Sequence, residues 1–237
     1  MPVLSDLEPR EVFAWFERLC AIPHGSHHAK AISDYLVAFA RERGLACRQD
    51  AANNVVIRKA ASAGYENAPV VMLQGHIDMV CEKDADCGKD METEGLDLFV
   101  DGDVIGARGT TLGGDDGIAV AMALAVLDAD DIPHGPLECV FTADEEVGMI
   151  GARALDASDL KAKYLINIDS EEEGVLTVSC AGACRTLCTL PVTRVPFDGQ
   201  TLRVRISGLA GGHSGEEIHK GRANANLLLG RALDEMS

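Results

Sequence analysis

The spacing of apolar positions changes several times along the chain. In "EPREVFAWFERLCAI" the residues Val12, Phe13, Phe16, Leu19 and Cys20 recur every three or four positions, one face of an α-helix, and Pro9 stands near its first turn. "SHHAKAISDYLVAFARERG" repeats the pattern through Ile32, Leu36 and Phe39, with Ser26 expected as the N-cap and Gly44 as the stop. "NNVVIRKA", "PVVMLQG", "LECVFTA" and "KYLINID" are short apolar runs of strand type, and "DGIAVAMALAVLDA" is an apolar helix. Helices alternating with buried strands predict an α/β fold, a mostly parallel sheet with helices on both faces.

After Gly182 the texture changes. "CRTLCTLPVT" and "TLRVRISGLAG" alternate apolar and polar residues as half-exposed antiparallel strands do, and a helix is expected in "RANANLLLGRALDEM". A boundary is expected near residues 182–186. It divides the chain into a first domain over 1–183 and the start of a smaller α+β domain over 184–237, too short for a core of its own.

Composition narrows the function. Of 237 residues 47% are apolar, enough for a sizeable core. Lys and Arg total 21 against 38 Asp and Glu, a formal net charge of −17, and such a surface repels phosphate backbones, so nucleic acid is not an expected partner. The N-terminal "MPVLSDLEPREVF" has no apolar signal core and no apolar run is long enough to span a bilayer, so a cytoplasmic location without a membrane partner is expected. The 8 cysteines are scattered through apolar segments. Cys180, Cys184 and Cys188 are evenly spaced but do not follow a zinc-finger pattern, and they are read as small reduced hydrophobes.

The strand ends carry the chemistry. "VVMLQGHIDMV" closes an apolar run with His76 and Asp78; "LECVFTADEEVG" closes another with Asp144, Glu145 and Glu146; "KYLINIDSEEEG" closes a third with Asp169; and "TTLGGDDGIAVAMA" sets Asp115 and Asp116 just before a helix. Taken singly, His76 reads equally well as a core histidine and each acid as a solvated loop end. Taken together they converge, because ligands in open α/β sheets gather beyond the carboxyl ends of the strands. Several carboxylates brought together without a cation repel one another, and a pair of divalent metal ions resolves that repulsion.

The order His-x-Asp, Gly-x-Asp-Asp-Gly, Glu-Glu-x-Gly, Asp resembles the co-catalytic dizinc peptidases and deacylases, and within them the aminoacyl-histidine dipeptidase group. The likeness runs through "LQGHIDMVCEK", "GARGTTLGGDDGIAVAMALAVL", "FTADEEVGMIGA", "LINIDSEEEG" and "GGHSGEEIHKGRANAN", from about residue 70 to the end. It departs mildly at Asp116, where that group often has Asn. The resemblance implies a zinc-exopeptidase-like fold and two divalent metals, zinc first, with cobalt or manganese as alternatives. His76, Asp115 and Asp169 would hold one ion, Asp115 would bridge to the second, and Glu146 would bind that second ion. The ions would sit ~3.5–4 Å apart with a shared water of lowered pKa. Glu145 would be the general base and Asp78 would orient His76 through its second nitrogen. The peptide after Asp115 is implied to be cis. The implied substrates are small peptides, Xaa-His dipeptides above all, and the implied assembly is a homodimer through the lid domain.

His213, in "LAGGHSGEEIH", reads either as a surface histidine or, by the resemblance, as a lid-domain group that stabilises the oxyanion. His24, His27 and His28 in "IPHGSHHAK" mimic a metal cluster but are read as a polar loop without function. The family pattern ends with one more histidine from its far C-terminal part, and nothing after Asp169 supplies it. The 237 residues therefore read as the N-terminal half of such an enzyme, inactive alone. A deacylase or desuccinylase of the same family, a non-catalytic metal-binding homologue and a purely structural domain are the other readings.

Overall fold

In the computed structural model the run expected to be a buried strand is the middle of the site-bearing half of a sheet. The structure describes every residue except 1, 171, 181, 183–185, 213–216 and 237. It divides into two compact units, Met1–Cys180 and Ala181–Ser237. The first unit contains helices α1 (Arg10–Cys20), α2 (Lys30–Glu42), α3 (Gly114–Asp128) and α4 (Ile150–Ala154). Its strands are β1 (Ala46–Gln49), β2 (Val55–Lys59), β3 (Val71–His76), β4 (Leu98–Asp101), β5 (Val104–Ala107), β6 (Leu137–Thr142) and β7 (Tyr164–Asn167). Five of these form one sheet in the order β1-β2-β6-β3-β7, while β4 and β5 make a separate hairpin.

β6, β3 and β7 are mutually parallel neighbours, β2 runs antiparallel to β6, and β1 runs antiparallel to β2. Four of the five strands therefore point the same way. The β3–α3–β6 segment is a strand-helix-strand crossover, the connection that parallel neighbours require. The alternation of side chains across a strand sorts β2 and β6 between two faces. Val55, Ile57, Cys139 and Phe141 pack with Trp15, Phe16 and Leu19 of α1, Ile32, Leu36 and Phe39 of α2, and Val120 and Leu124 of α3. Val56, Met72 and Val140 point the other way and meet Leu155, Leu160 and Ala162, which follow α4.

The helix ends differ from the sequence reading at one position. Gly44, at φ +64°, ends α2 as expected, its N–H on the Arg41 carbonyl at 3.1 Å. Ser26 does not cap α2, which starts at Lys30 after Ala29 and has no side-chain cap. Its hydroxyl is used elsewhere. Burial pushes the Cys20 and Cys139 thiols up to about 12, as befits small buried hydrophobes, whereas Cys180 and Cys188, read the same way, stand exposed.

In the second unit the described residues form a 3₁₀ turn (Ile218–Lys220) and α5 (Ala225–Asp234). Asn224 caps α5, its Oδ1 accepting the N–H groups of Asn226 at 2.9 Å and Leu227 at 3.1 Å. The two strands expected after Gly182 are not formed among the described residues, and Leu187, Leu190 and Phe197 stand exposed. Alternation makes a segment fit to be a strand, but a strand forms only on a partner, and a two-stranded hairpin alone is marginal in water. Cys184 and His213 lie outside the described residues.

α3 is apolar on nearly every side, so the sequence alone does not show which face matters. Leu124 is fully buried whereas Met122 is 39% exposed. Leu124→Ala is expected to cost about 2–5 kcal/mol in urea unfolding, and Met122→Ala within about 0.5 kcal/mol. Equal losses would contradict this assignment of faces.

Candidate metal centre

Because β6, β3 and β7 are parallel, their carboxyl ends share one edge of the sheet, and β3 lies between the other two. His76 is the last residue of β3 and is fully buried. Its Nδ1 lies 2.9 Å from the Asp78 carbonyl oxygen and 3.5 Å from the Asp78 carboxylate. Nδ1 donates to that carbonyl, which leaves Nε2 facing the Asp115 carboxylate at 2.9 Å. Burial works against the charged imidazole, but Asp78, Asp116 and Asp115 outweigh it and raise the pKa to about 10.

Asp78 thus orients His76 mainly through its backbone, and its buried carboxylate has other partners. Oδ1 accepts the Glu145 N–H at 2.9 Å, and Oδ2 accepts the Ser26 hydroxyl at 2.8 Å and the Glu146 N–H at 3.4 Å. Burial alone would raise the pKa of this carboxyl; His76, the Glu145 amide and Ser26 together hold it below the ordinary value.

α3 contributes the paired aspartates at its start, where Asp115 and Asp116 are not yet helical and their peptide bond is cis. Asp116 is buried, and its Oδ2 accepts the His76 N–H at 3.1 Å. Burial first, with Asp169 and Asp115 adding to it, pushes its pKa up to about 7. The strand glycine before His76 makes room for this: a Cβ on Gly75 would lie 2.7 Å from Asp116 Oδ2 and 2.9 Å from the Ala119 Cβ.

β6 delivers the acidic turn. Asn54, buried at the start of β2, accepts the Ala143 N–H at 3.0 Å and donates to the Gly151 carbonyl at 2.9 Å, fixing both ends of the turn. Between them Asp144 adopts φ +55° and accepts the His27 N–H at 2.6 Å. Glu145 and Glu146 both have raised pKa values, from burial first and then from surrounding carboxylates, with His76 opposing. Asp169 lies two residues beyond β7.

Among the described residues ligand-type atoms meet in two groups, each with its atoms within 4.8 Å of one another: His76, Asp116 and Asp169; and His76, Asp115 and Glu146. The five sequence-expected residues His76, Asp115, Glu145, Glu146 and Asp169 come to one edge, with Asp78 behind them. One imidazole, with Nδ1 already committed, offers a single nitrogen and serves a single ion, so the two groups cannot both use it. Imidazole with several carboxylates suits a borderline divalent ion such as zinc, cobalt or manganese, and the carboxyl pKa values are raised by burial first and by mutual repulsion after it, both of which such an ion offsets.

The sequence reading set Asp116 beside Asp115 in "GGDDG" but gave it no place among the ligands, whereas here it meets His76 and Asp169. It missed Ser26, for which no local signal exists. It set aside His24, which is buried with Nδ1 2.5 Å from the Ile22 carbonyl, while His27 and His28 are exposed. The latter two line a cleft of about 470 Å³ that also borders Met79, Glu146 and Val147.

The pattern of peptidase family M20/M25/M40 matches residues 72–222. The Escherichia coli protein named cytosol non-specific dipeptidase is 45% identical over 235 residues, which are 98% of this chain and 48% of that one. The crystal structure of aminoacylhistidine dipeptidase from Vibrio alginolyticus superposes with a TM-score of 0.72 at 38% identity, covering 97% of this chain and 47% of that one. A tripeptidase from Staphylococcus aureus superposes with a TM-score of 0.58 at 25% identity, over 70% of this chain and 44% of that one. The chain spans about half the length of the two dipeptidases.

Gly75→Ala tests the contact between β3 and α3. The added methyl must displace Asp116 and Ala119, so unfolding free energy is expected to fall by about 1–3 kcal/mol and zinc binding to weaken. A variant with unchanged zinc affinity would show that the paired aspartates do not depend on this packing.

Proposed function

Because the chain belongs to peptidase family M20/M25/M40, we propose that the whole protein is a metal-dependent dipeptidase acting on small peptides, with Xaa-His dipeptides as preferred substrates. The observation that carries this reading is the convergence of His76, Asp115, Asp116, Glu146 and Asp169 in two overlapping ligand groups with Glu145 beside them. The relatives' names support it: one is a non-specific dipeptidase, the other an aminoacylhistidine dipeptidase. The same reading places the protein in the cytoplasm as a homodimer built through its second unit.

By the resemblance His76, Asp115 and Asp169 would hold one ion, and Glu146 with a shared Asp115 the other, whereas the ligand groups seen here set Asp169 with His76 and Asp116. Asp115 suits a shared position because its carboxylate is half exposed and already reaches His76 Nε2, whereas Asp116 is committed to the His76 N–H. A divalent ion bound there supplies a Lewis acid and lowers the pKa of water towards about 7. Glu145 belongs to neither ligand group, and its raised pKa suits a carboxylate that takes a proton from the attacking water and returns it to the leaving amine nitrogen. Asp78 keeps Nδ1 of His76 occupied and holds the Glu145 amide, so base and imidazole keep a fixed relation.

The direct test is hydrolysis of a panel of Xaa-His, other dipeptide and acyl-amino-acid substrates by the whole protein with added zinc. His76→Ala and Asp169→Ala are expected to lose bound zinc; Glu145→Gln is expected to keep it while turnover falls by about 10²–10⁴-fold. Equal zinc loss in all three would remove the role given to Glu145. Protons on His76 compete with an ion for Nε2. Its pKa of about 10 therefore implies that zinc affinity rises from pH 6 to pH 8 with proton release. Calorimetry in two buffers of different ionisation enthalpy measures this, and binding without proton release would contradict it.

A further inference from the structure

One short segment outside the ligand set touches two of the three ligand-bearing strand ends, those of β3 and β6. Residues 24–28 run beside the end of β3: the His24 carbonyl accepts the Met79 N–H at 3.1 Å and the Ser26 N–H reaches the Met79 carbonyl at 3.2 Å. The same segment reaches the turn after β6, where the His27 N–H binds Asp144 at 2.6 Å. Between these contacts the Ser26 hydroxyl lies 2.8 Å from Asp78 Oδ2 across 52 residues of sequence. The approach is close, since a Cβ on Gly25 would sit 2.6 Å from the Cys81 sulfur.

From this geometry we propose that Ser26 is a positioning residue of the active centre, a proposal that rests on the metallopeptidase reading above. Asp78 Oδ1 is held by the Glu145 amide, and Oδ2 has Ser26 and the longer 3.4 Å contact to the Glu146 amide. Without the hydroxyl, one oxygen of a buried carboxylate keeps only that long contact. The carboxylate then turns, and the two amides that depend on it move with it. Glu145 and Glu146 are the general base and a metal ligand in the proposed site, and a displacement of about 1 Å in such groups costs up to 10²-fold in rate. The hydroxyl is free for this task because α2 starts four residues later without using it.

The test uses the whole protein carrying Ser26→Ala, Ser26→Thr or Ser33→Ala. Ser33 is a buried serine whose hydroxyl binds the Asn53 carbonyl at 2.8 Å, away from the ligand groups, and it controls for a lost buried hydroxyl. Ser26→Ala is expected to lower kcat about 10-fold or more with KM within about 2-fold, and to weaken zinc binding about 10-fold. Ser26→Thr, which keeps the hydroxyl, is expected to restore most of both, and Ser33→Ala to lower the melting temperature while leaving kcat unchanged. A Ser26→Ala enzyme with wild-type kcat and zinc affinity would overturn the proposal. So would a folded Ser26→Thr no better than Ser26→Ala, or an equal loss of kcat in Ser33→Ala. If the wild-type protein cleaves no dipeptide, the dipeptidase reading has failed by itself. Zinc affinity then decides for Ser26, a 10-fold loss in Ser26→Ala supporting the proposal and an unchanged affinity overturning it.

Discussion

A buried carboxylate two residues beyond β3 holds the site together. Asp78 is inaccessible to solvent, and a buried charge is tolerable only when hydrogen bonds replace its hydration. The donors that replace it are the Glu145 and Glu146 amides and the Ser26 hydroxyl, while the same residue's carbonyl takes Nδ1 of His76. The need to satisfy one charge thereby links the end of β3, the turn after β6 and the N-terminal loop. Removing one partner of a buried charge pair such as Asp78 with His76 typically costs about 3–5 kcal/mol, because the other charge is left uncompensated.

This constraint acts on a sheet whose polarity has already gathered the chemistry. Parallel β6, β3 and β7 bring their carboxyl ends to one edge, and the crossover helix α3 starts there too. No long loop is needed to assemble five acidic or imidazole groups; each lies within four residues of a strand end or in the first turn of a helix. Rigid elements hold such groups more closely than loops do. Asn54 adds a second brace by tying β2 to both ends of the acidic turn.

These facts explain which parts of the structure were legible in the sequence. β2, β3, β6, β7 and the three long helices announce themselves through apolar runs and helical spacing, and the ligand-type residues stand at the ends of those runs. β1 and the β4–β5 hairpin are polar or short, with Arg48 and Gln49 in one and Gly106 in the other, so no run marks them. The strands expected after Gly182 failed for the opposite reason: their alternation is present, but no partner strand pairs with them among the described residues. At the site, residue types were legible and, apart from the pairing of His76 with Asp78, partners were not. Ser26 looked like a helix cap because capping is a local signal, whereas its actual partner is 52 positions away. Asp116 and Asp115 are chemically identical neighbours, and only the packing of Gly75 against α3 shows that one is buried under the His76 amide while the other stands open.

The adjacent Glu145 and Glu146 pose the same problem for the proposed catalytic step. Both carboxyls have raised pKa values with burial as the largest cause, and both amides lie on Asp78. Titration therefore does not divide their proposed roles; direction does. Glu146 reaches the group formed by His76 and Asp115, and Glu145 reaches neither group. A cation on a carboxylate lowers its basicity, so in the proposed scheme the one left outside the ligand groups is the better base. Fixing both amides on one buried oxygen pair keeps the two side chains from exchanging places, which is why two neighbouring residues of one type can be assigned two tasks.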